Sequence, residues 1–96
     1  MVRILIKIHP KGIVSLCDEN LIGKTFETKT EKIEIIERFF KGEARSEDFV
    51  AEILEATGNA TIVGKNAVEF AVKRGFVDKN CVKKIGKVPV ACIFAV

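Results

Sequence analysis

One histidine, three cysteines and a few glycine–lysine pairs are what this 96-residue sequence offers for chemistry. Nucleophilic catalysis needs a base beside the nucleophile, and His9 is the sole imidazole. In the hairpin register argued below, Cys17 sits four residues along the sheet from it, roughly 13 Å at the usual strand rise. Those two cannot form a dyad, and only Cys81 or Cys92 could approach His9 through the fold. The three cysteines share no CxxC spacing and supply no zinc-site pattern, so they read as reduced, mostly packed thiols of a cytosolic protein. Asp18 and Glu19 are adjacent, so on a strand they point to opposite faces and make no carboxylate pair; they read as strand-end caps for the next turn. No catalytic residue, metal ligand or cofactor is assigned.

Gly64-Lys65-Asn66 is the best site candidate. A helix that opens at the end of a strand presents free amides and a positive dipole end, and Lys65 adds a mobile charge. A phosphate or carboxylate suits such a place, although Asn66 capping its own helix would fill the same amides. Gly23-Lys24-Thr25 superficially looks like a phosphate loop. That reading fails, because the required first glycine is Asp18 and no helix pattern begins at Lys24.

These groups must be positioned by the surrounding elements. Thr57–Gly75 spells a complete strand–turn–helix unit. Ala60–Val63 is short, apolar and flanked by glycine, as a buried strand is. The helix after it is expected to take Asn66 as N-cap with Glu69 reaching back, and Gly75 as its left-handed stop, with Phe76 folding back onto Ala71. Upstream, Val2–Ile8 alternates and is followed by His9-Pro10-Lys11-Gly12, which fits a type I turn closed by a left-handed glycine. The loop pairs Ile8 with Val14 and Leu5 with Cys17, putting Ile4, Ile6, Ile8, Val14 and Leu16 on one face. The other face is mixed. Lys32–Phe40 is ambiguous between helix and strand and is read as a strand. Ser46 caps a second helix whose buried stripe is Phe49, Val50, Ile53 and Leu54. Cys81–Ile85 and Val88–Val96 read as two closing strands; from Val90 on, both faces of the last one are apolar, so it is central in the sheet or buried by another subunit. The expectation is one domain over residues 1–96, an α+β fold with a mixed, mainly antiparallel sheet and two helices in the order β-β-β-α-β-α-β-β.

No apolar run approaches the ~20 residues of a membrane span, and Val2–Ile8 alternates like a strand rather than a secretion signal. The net charge of +3 is unevenly laid out: residues 1–26 carry a net +2, residues 27–58 a net −4 and residues 59–96 a net +5. If the two end segments share a sheet, their basic side chains form one positive face suited to phosphate-bearing partners. With no Tyr or Trp, base stacking is poorly served, so any RNA contact would be to phosphate, with steep salt dependence.

The order of several short runs resembles an archaeal family, domain of unknown function 424. The runs are Cys17-Asp18-Glu19-Asn20-Leu21-Ile22-Gly23-Lys24, Phe39-Phe40-Lys41-Gly42-Glu43, Ala60-Thr61-Ile62-Val63-Gly64-Lys65 and Val88-Pro89-Val90-Ala91-Cys92-Ile93-Phe94. In that family a histidine commonly follows the proline of the end run, where this chain has Val90. The resemblance implies an archaeal, intracellular α+β protein and brings no activity.

The favoured reading is a non-enzymatic module that binds RNA or a translation-linked RNA–protein assembly, with Arg3, Lys7, His9, Lys24 and Lys65 as contacts. The alternatives are a small phosphate-ligand protein or minor enzyme with its site at Gly64, Lys65 and Asn66, and a protein-interaction subunit, for example a homodimer, working through the last strand.

Overall fold

The computed structural model describes residues 2–94. A six-stranded sheet, in the order β5-β1-β2-β6-β8-β7, forms its centre. The strands are β1 (Ile4–Ile8), β2 (Ile13–Asp18), β5 (Glu43–Ala44), β6 (Asn59–Val63), β7 (Lys83–Ile85) and β8 (Val88–Phe94). Every pairing is antiparallel except β2 with β6. Two short strands, β3 (Thr25–Glu27) and β4 (Lys32–Glu34), pair separately as a hairpin. Two helices of useful length, α2 (Glu47–Ala56) and α3 (Lys65–Lys73), accompany a single helical turn, α1 (Glu37–Phe40). The fold is therefore the expected mixed α+β class, with a mainly antiparallel sheet.

The β1–β2 register is the one the turn length dictates, with Ile8 opposite Val14 and Leu5 opposite Cys17. The turn itself differs from a type I turn: Lys11 takes φ 67° and Gly12 φ 76°, so two successive residues lie in the left-handed region. Of the face expected to be the core, Ile6, Val14 and Leu16 are buried, while Ile8, at the strand end, is 55% exposed. The opposite face is also covered. Leu5, Ser15 and Cys17 are buried there, and Cys17 joins Ile35, Phe40, Val63 and Val88 in a second apolar cluster. The sheet is thus sandwiched, with α2 and α3 on one side and the β3–β4 hairpin with α1 on the other.

The Lys32–Phe40 stretch is a strand only over its first three residues and becomes helical at Glu37. The strand reading fails beyond Glu34 because Ile35 exchanges backbone bonds with Gly23 and Lys24 rather than extending the hairpin. α2 starts where expected: the Ser46 hydroxyl accepts from the Phe49 amide at 3.1 Å. α3 ends as expected: Gly75 has φ 80°, and the Phe76 amide donates to the Ala71 carbonyl at 2.9 Å, the paired-bond stop of a left-handed glycine. Its start is different. The cap position belongs to Gly64, not Asn66, which lies inside the first turn. The predicted strand Cys81–Ile85 shortens to β7, because Lys79–Cys81 forms a 3-10 turn capped by Asp78. β8 pairs with β7 over Val88–Val90 and with β6 over Val90–Phe94, so the two ladders overlap only at Val90 and the strand is paired on one edge from Ala91 to Phe94. Ala95–Val96, also assigned to this strand, lie outside the described residues.

Candidate functional site

Parallel pairing of β2 with β6 brings the end of β2 beside the start of α3. Strand alternation then sends the side chain of Asp18 to the helix side of the sheet and that of Cys17 to the other. The Asp18 carboxylate closes the start of α3. One oxygen accepts from the Ala67 amide at 2.8 Å, and the other from the Asn66 amide at 2.9 Å and the Asn66 side-chain Nδ2 at 3.0 Å. Asp18 is only 3% exposed, so this carboxylate is a built-in anion whose charge is met by aligned amides and the helix dipole. Gly64 makes the approach feasible. It has φ 110°, and a Cβ placed on it would lie 2.5 Å from the Asp18 carboxyl carbon.

This corrects the expectation for Gly64, Lys65 and Asn66. The amides offered to an external phosphate serve Asp18, and Asn66 supports that carboxylate instead of capping the helix. A small phosphate ligand therefore has no vacancy at the helix start. Behind Asp18, burial first and the neighbouring carboxylate second push the Cys17 thiol up to about 12, which keeps it protonated and unreactive. Cys81 and Cys92 are exposed, against the expectation of packed thiols.

His9 stacks on Phe39 with ring centroids 4.4 Å apart. Its Nε2 lies 2.8 Å from the Ser15 hydroxyl and 3.0 Å from the Phe39 carbonyl oxygen. A carbonyl can only accept, so Nε2 carries the proton and cannot serve Ser15 as a base. Ser15 is fully buried as well, which closes it to substrate. The pair is structural. Among the described residues no group of three His, Cys, Asp or Glu side chains is placed to hold a metal ion, and no helix is long and apolar enough to cross a membrane.

The remaining sequence-derived contacts do not gather. Arg3 makes a two-pronged bond to Glu19, at 3.0 and 2.6 Å, which raises the arginine and lowers the carboxyl from their ordinary values. Lys7 donates to the Arg38 carbonyl near α1. Lys24 is exposed where the β3–β4 hairpin begins, across the sheet from the helices.

Lys65 stands in a basic groove whose other lysines were not singled out from the sequence. Lys65, Val68, Glu69, Val72 and Lys73 form one stripe of α3, at the three- and four-residue spacing that aligns side chains on a helix. Facing them are Lys79 from the 3-10 turn, Val82 just after it and Lys84 from β7, across an open, shallow hollow of about 660 Å³. Strand alternation divides the lysines of β7. Lys83 turns to the far face and pairs with Glu31, whereas Lys84 turns to the groove. Among the described residues Lys65, Lys73, Lys79 and Lys84 enter no ion pair. A second groove, around Lys7, Lys41, Arg45 and Phe49, is also basic, but its cations are engaged. Lys41 pairs with Glu37, and Arg45 pairs with Glu43 and lies 3.9 Å over the Phe49 ring. The helical spacing of Lys65 and Lys73 was the signal available in the sequence; the opposing bank was not.

A family model described as "Protein of unknown function (DUF424)" matches residues 6–96. The structure is similar to the crystal structure of an uncharacterized conserved protein from Methanopyrus kandleri, with a TM-score of 0.76 and 28% sequence identity over 98% of this chain and 94% of that one. No curated protein matches the sequence.

Proposed function

The chain belongs to the DUF424 family, and from that premise we propose that it is a non-enzymatic module that binds RNA, or an RNA–protein assembly, through phosphate contacts. The carrying observation is the groove with four unpaired lysines, Lys65, Lys73, Lys79 and Lys84. Cations with no internal partner are available to an external anion without breaking an existing bond. Clustering raises the local potential above that of the same charges dispersed. His9, the sole imidazole, is held by Phe39 and the buried Ser15, which favours binding over turnover.

Lys65 is thus retained from the sequence-derived contacts. Arg3, Lys7 and His9 are engaged by neighbours within the fold, and Lys24 lies on the opposite side of the sheet, so they stand outside the proposed contact surface. Gly64 and Asn66 contribute by holding the start of α3, and with it Lys65, in place.

The test is recovery of the full chain with its partners from native lysate, with and without ribonuclease. RNA is expected in the untreated sample and is expected to fall away as salt rises, since each phosphate contact releases bound counterions. Failure to bind RNA at low salt, or binding indifferent to salt, overturns the reading.

A further inference from the structure

We propose that Cys81 and Cys92 form a reversible disulfide site that closes the open edge of β8. The β7–β8 ladder sets Ile85 against Val88, Lys84 against Pro89 and Lys83 against Val90, and ends there. Facing residues of an antiparallel pair step in opposite directions along the two chains. The next rung therefore sets Val82 against Ala91, and the one after it Cys81 against Cys92. Both thiols are free and exposed. Val82 is still extended, at φ −80° and ψ 131°, and the chain leaves the ladder where Lys79–Cys81 winds into its 3-10 turn. Cys81 thus sits one residue past an extended backbone.

The two thiols also share a face of the sheet. Val82 and Lys84 lie beside α3, and Lys83 between them turns to the far face, where it meets Glu31. An extended Val82 puts Cys81 on the side of Lys83. On β8, Ala91 and Ile93 belong to the helix-side core, whereas Val90 packs with the cluster on the other face, and Cys92 follows Val90. The backbone agrees. The Pro89 carbonyl accepts from the Gly64 amide on the β6 side, so alternation turns the amide and carbonyl of Val90 and Cys92 to the outer side. Among the described residues, no strand pairs with that side beyond Val90. Cys81 brought onto its rung would exchange both backbone bonds with Cys92. Facing Cα atoms in such a pair lie about 5.5 Å apart, within the span a disulfide requires.

The oxidant is a small-molecule disulfide. One protein thiolate attacks it, forming a mixed disulfide and expelling one small thiol; the second then attacks the protein sulfur of that bond and expels the other. Two protein thiols are oxidised, one small disulfide is reduced, and the two protein protons leave on the released thiols. Cys17 is buried and takes no part. An exposed disulfide is the labile kind, so small thiols reverse the step. Moving Cys81 breaks the bond from its amide to the Asp78 carbonyl, 2.9 Å long, and makes two ladder bonds in exchange. Oxidised, the sheet ends in a covered edge; reduced, β8 keeps backbone groups that another strand can pair with. None of this chemistry depends on RNA.

The experiment titrates the full chain with glutathione buffers of rising oxidised fraction, folded and in concentrated urea, and reads free thiols, intact mass and a peptide map. The folded chain is expected to lose two thiols together, to become lighter by two hydrogens and to yield a peptide joining Cys81 to Cys92. The bond should form about tenfold more readily in the folded chain than in urea, and should raise Tm by about 5–10 °C. Exchange of the Cys92 amide, followed by NMR, should slow at least about tenfold on oxidation. Cys81→Ser and Cys92→Ser, each verified as folded by circular dichroism, should instead take up one glutathione and show neither effect. Separate glutathione adducts on both cysteines of the unaltered chain overturn the proposal, as does a disulfide joining two copies. A Cys81–Cys92 bond that forms no more readily folded than in urea, or that leaves the Cys92 amide exchanging as before, overturns it as well.

Discussion

Asp18 and Gly64 are two halves of one device at the residue scale. The carboxylate needs the amides of α3, and reaching them needs a residue without a side chain at the helix cap. Gly64→Ala introduces both a left-handed φ for a residue with Cβ and an overlap with the Asp18 carboxyl. Its expected cost is about 3 kcal/mol in urea unfolding. Asp18→Ala should cost about 2 kcal/mol by leaving buried amides without their acceptor. In the double variant the overlap is gone and only the backbone strain remains, so the combined loss should fall short of the two single losses added together. A second expectation concerns the thiols. Cys81 and Cys92 should react with a thiol reagent in the folded protein, and Cys17 only on unfolding. The raised Cys17 value also has a signed consequence. Its stabilising effect is fully present below the ordinary thiol value of 9.0 and is lost as pH rises toward about 12. Over that window an unfolded chain releases a proton that the folded one retains, so stability falls by about 1.4 kcal/mol per pH unit. Cys17→Ala should remove that component of the slope in unfolding measured at successive pH values. Cys17 was legible as a packed thiol, but the contact between Asp18 and Gly64 was not. Asp18 looked like an ordinary strand-end residue because its partners lie 48 and 49 positions away.

Elements whose ends are written locally were legible. Ser46 and its bonded Phe49 amide, or Gly75 followed by Phe76, are signals contained within a few residues, and the structure honours both. Ser46→Ala is expected to cost about 1 kcal/mol, a fall in midpoint of about 5 °C for a domain this size, with Ser46→Asp close to neutral. The segment from Lys32 to Phe40 defeated local reading because its tertiary partners change halfway. Lys32–Glu34 borrow a ladder from β3, whereas Ile35 and Phe40 are drawn into the cluster beneath β2 and β6. Turn glycines show the same limit. Gly42 reads as a plain turn residue, yet a Cβ there would overlap the Ile6 carbonyl of β1. Gly42→Ala should therefore destabilise by more than the Ser46 variant, and the loss should appear first as faster hydrogen exchange in β1 and β5.

Taken as a whole molecule, the protein separates packing from charge. Each face of the sheet carries an apolar cluster, and much of the charge of the lysine-rich final third gathers around α3 and β7. The segment charge totals suggested such a face, but they credited residues from both chain ends, whereas the groove draws all four lysines from the last 38 residues. The parallel ladder between β2 and β6 has a further consequence, for how the chain comes off the ribosome. Its first rung joins Ile13 to Asn59, so the amino-terminal hairpin is synthesised long before its neighbour exists. Until residue 67 has emerged, Asp18 has no donors to receive it, and the apolar side of the hairpin awaits α3. A chain stopped at Gly58 should accordingly show no cooperative thermal transition. Vectorial synthesis does not let this protein assemble piece by piece; it commits late, and all at once.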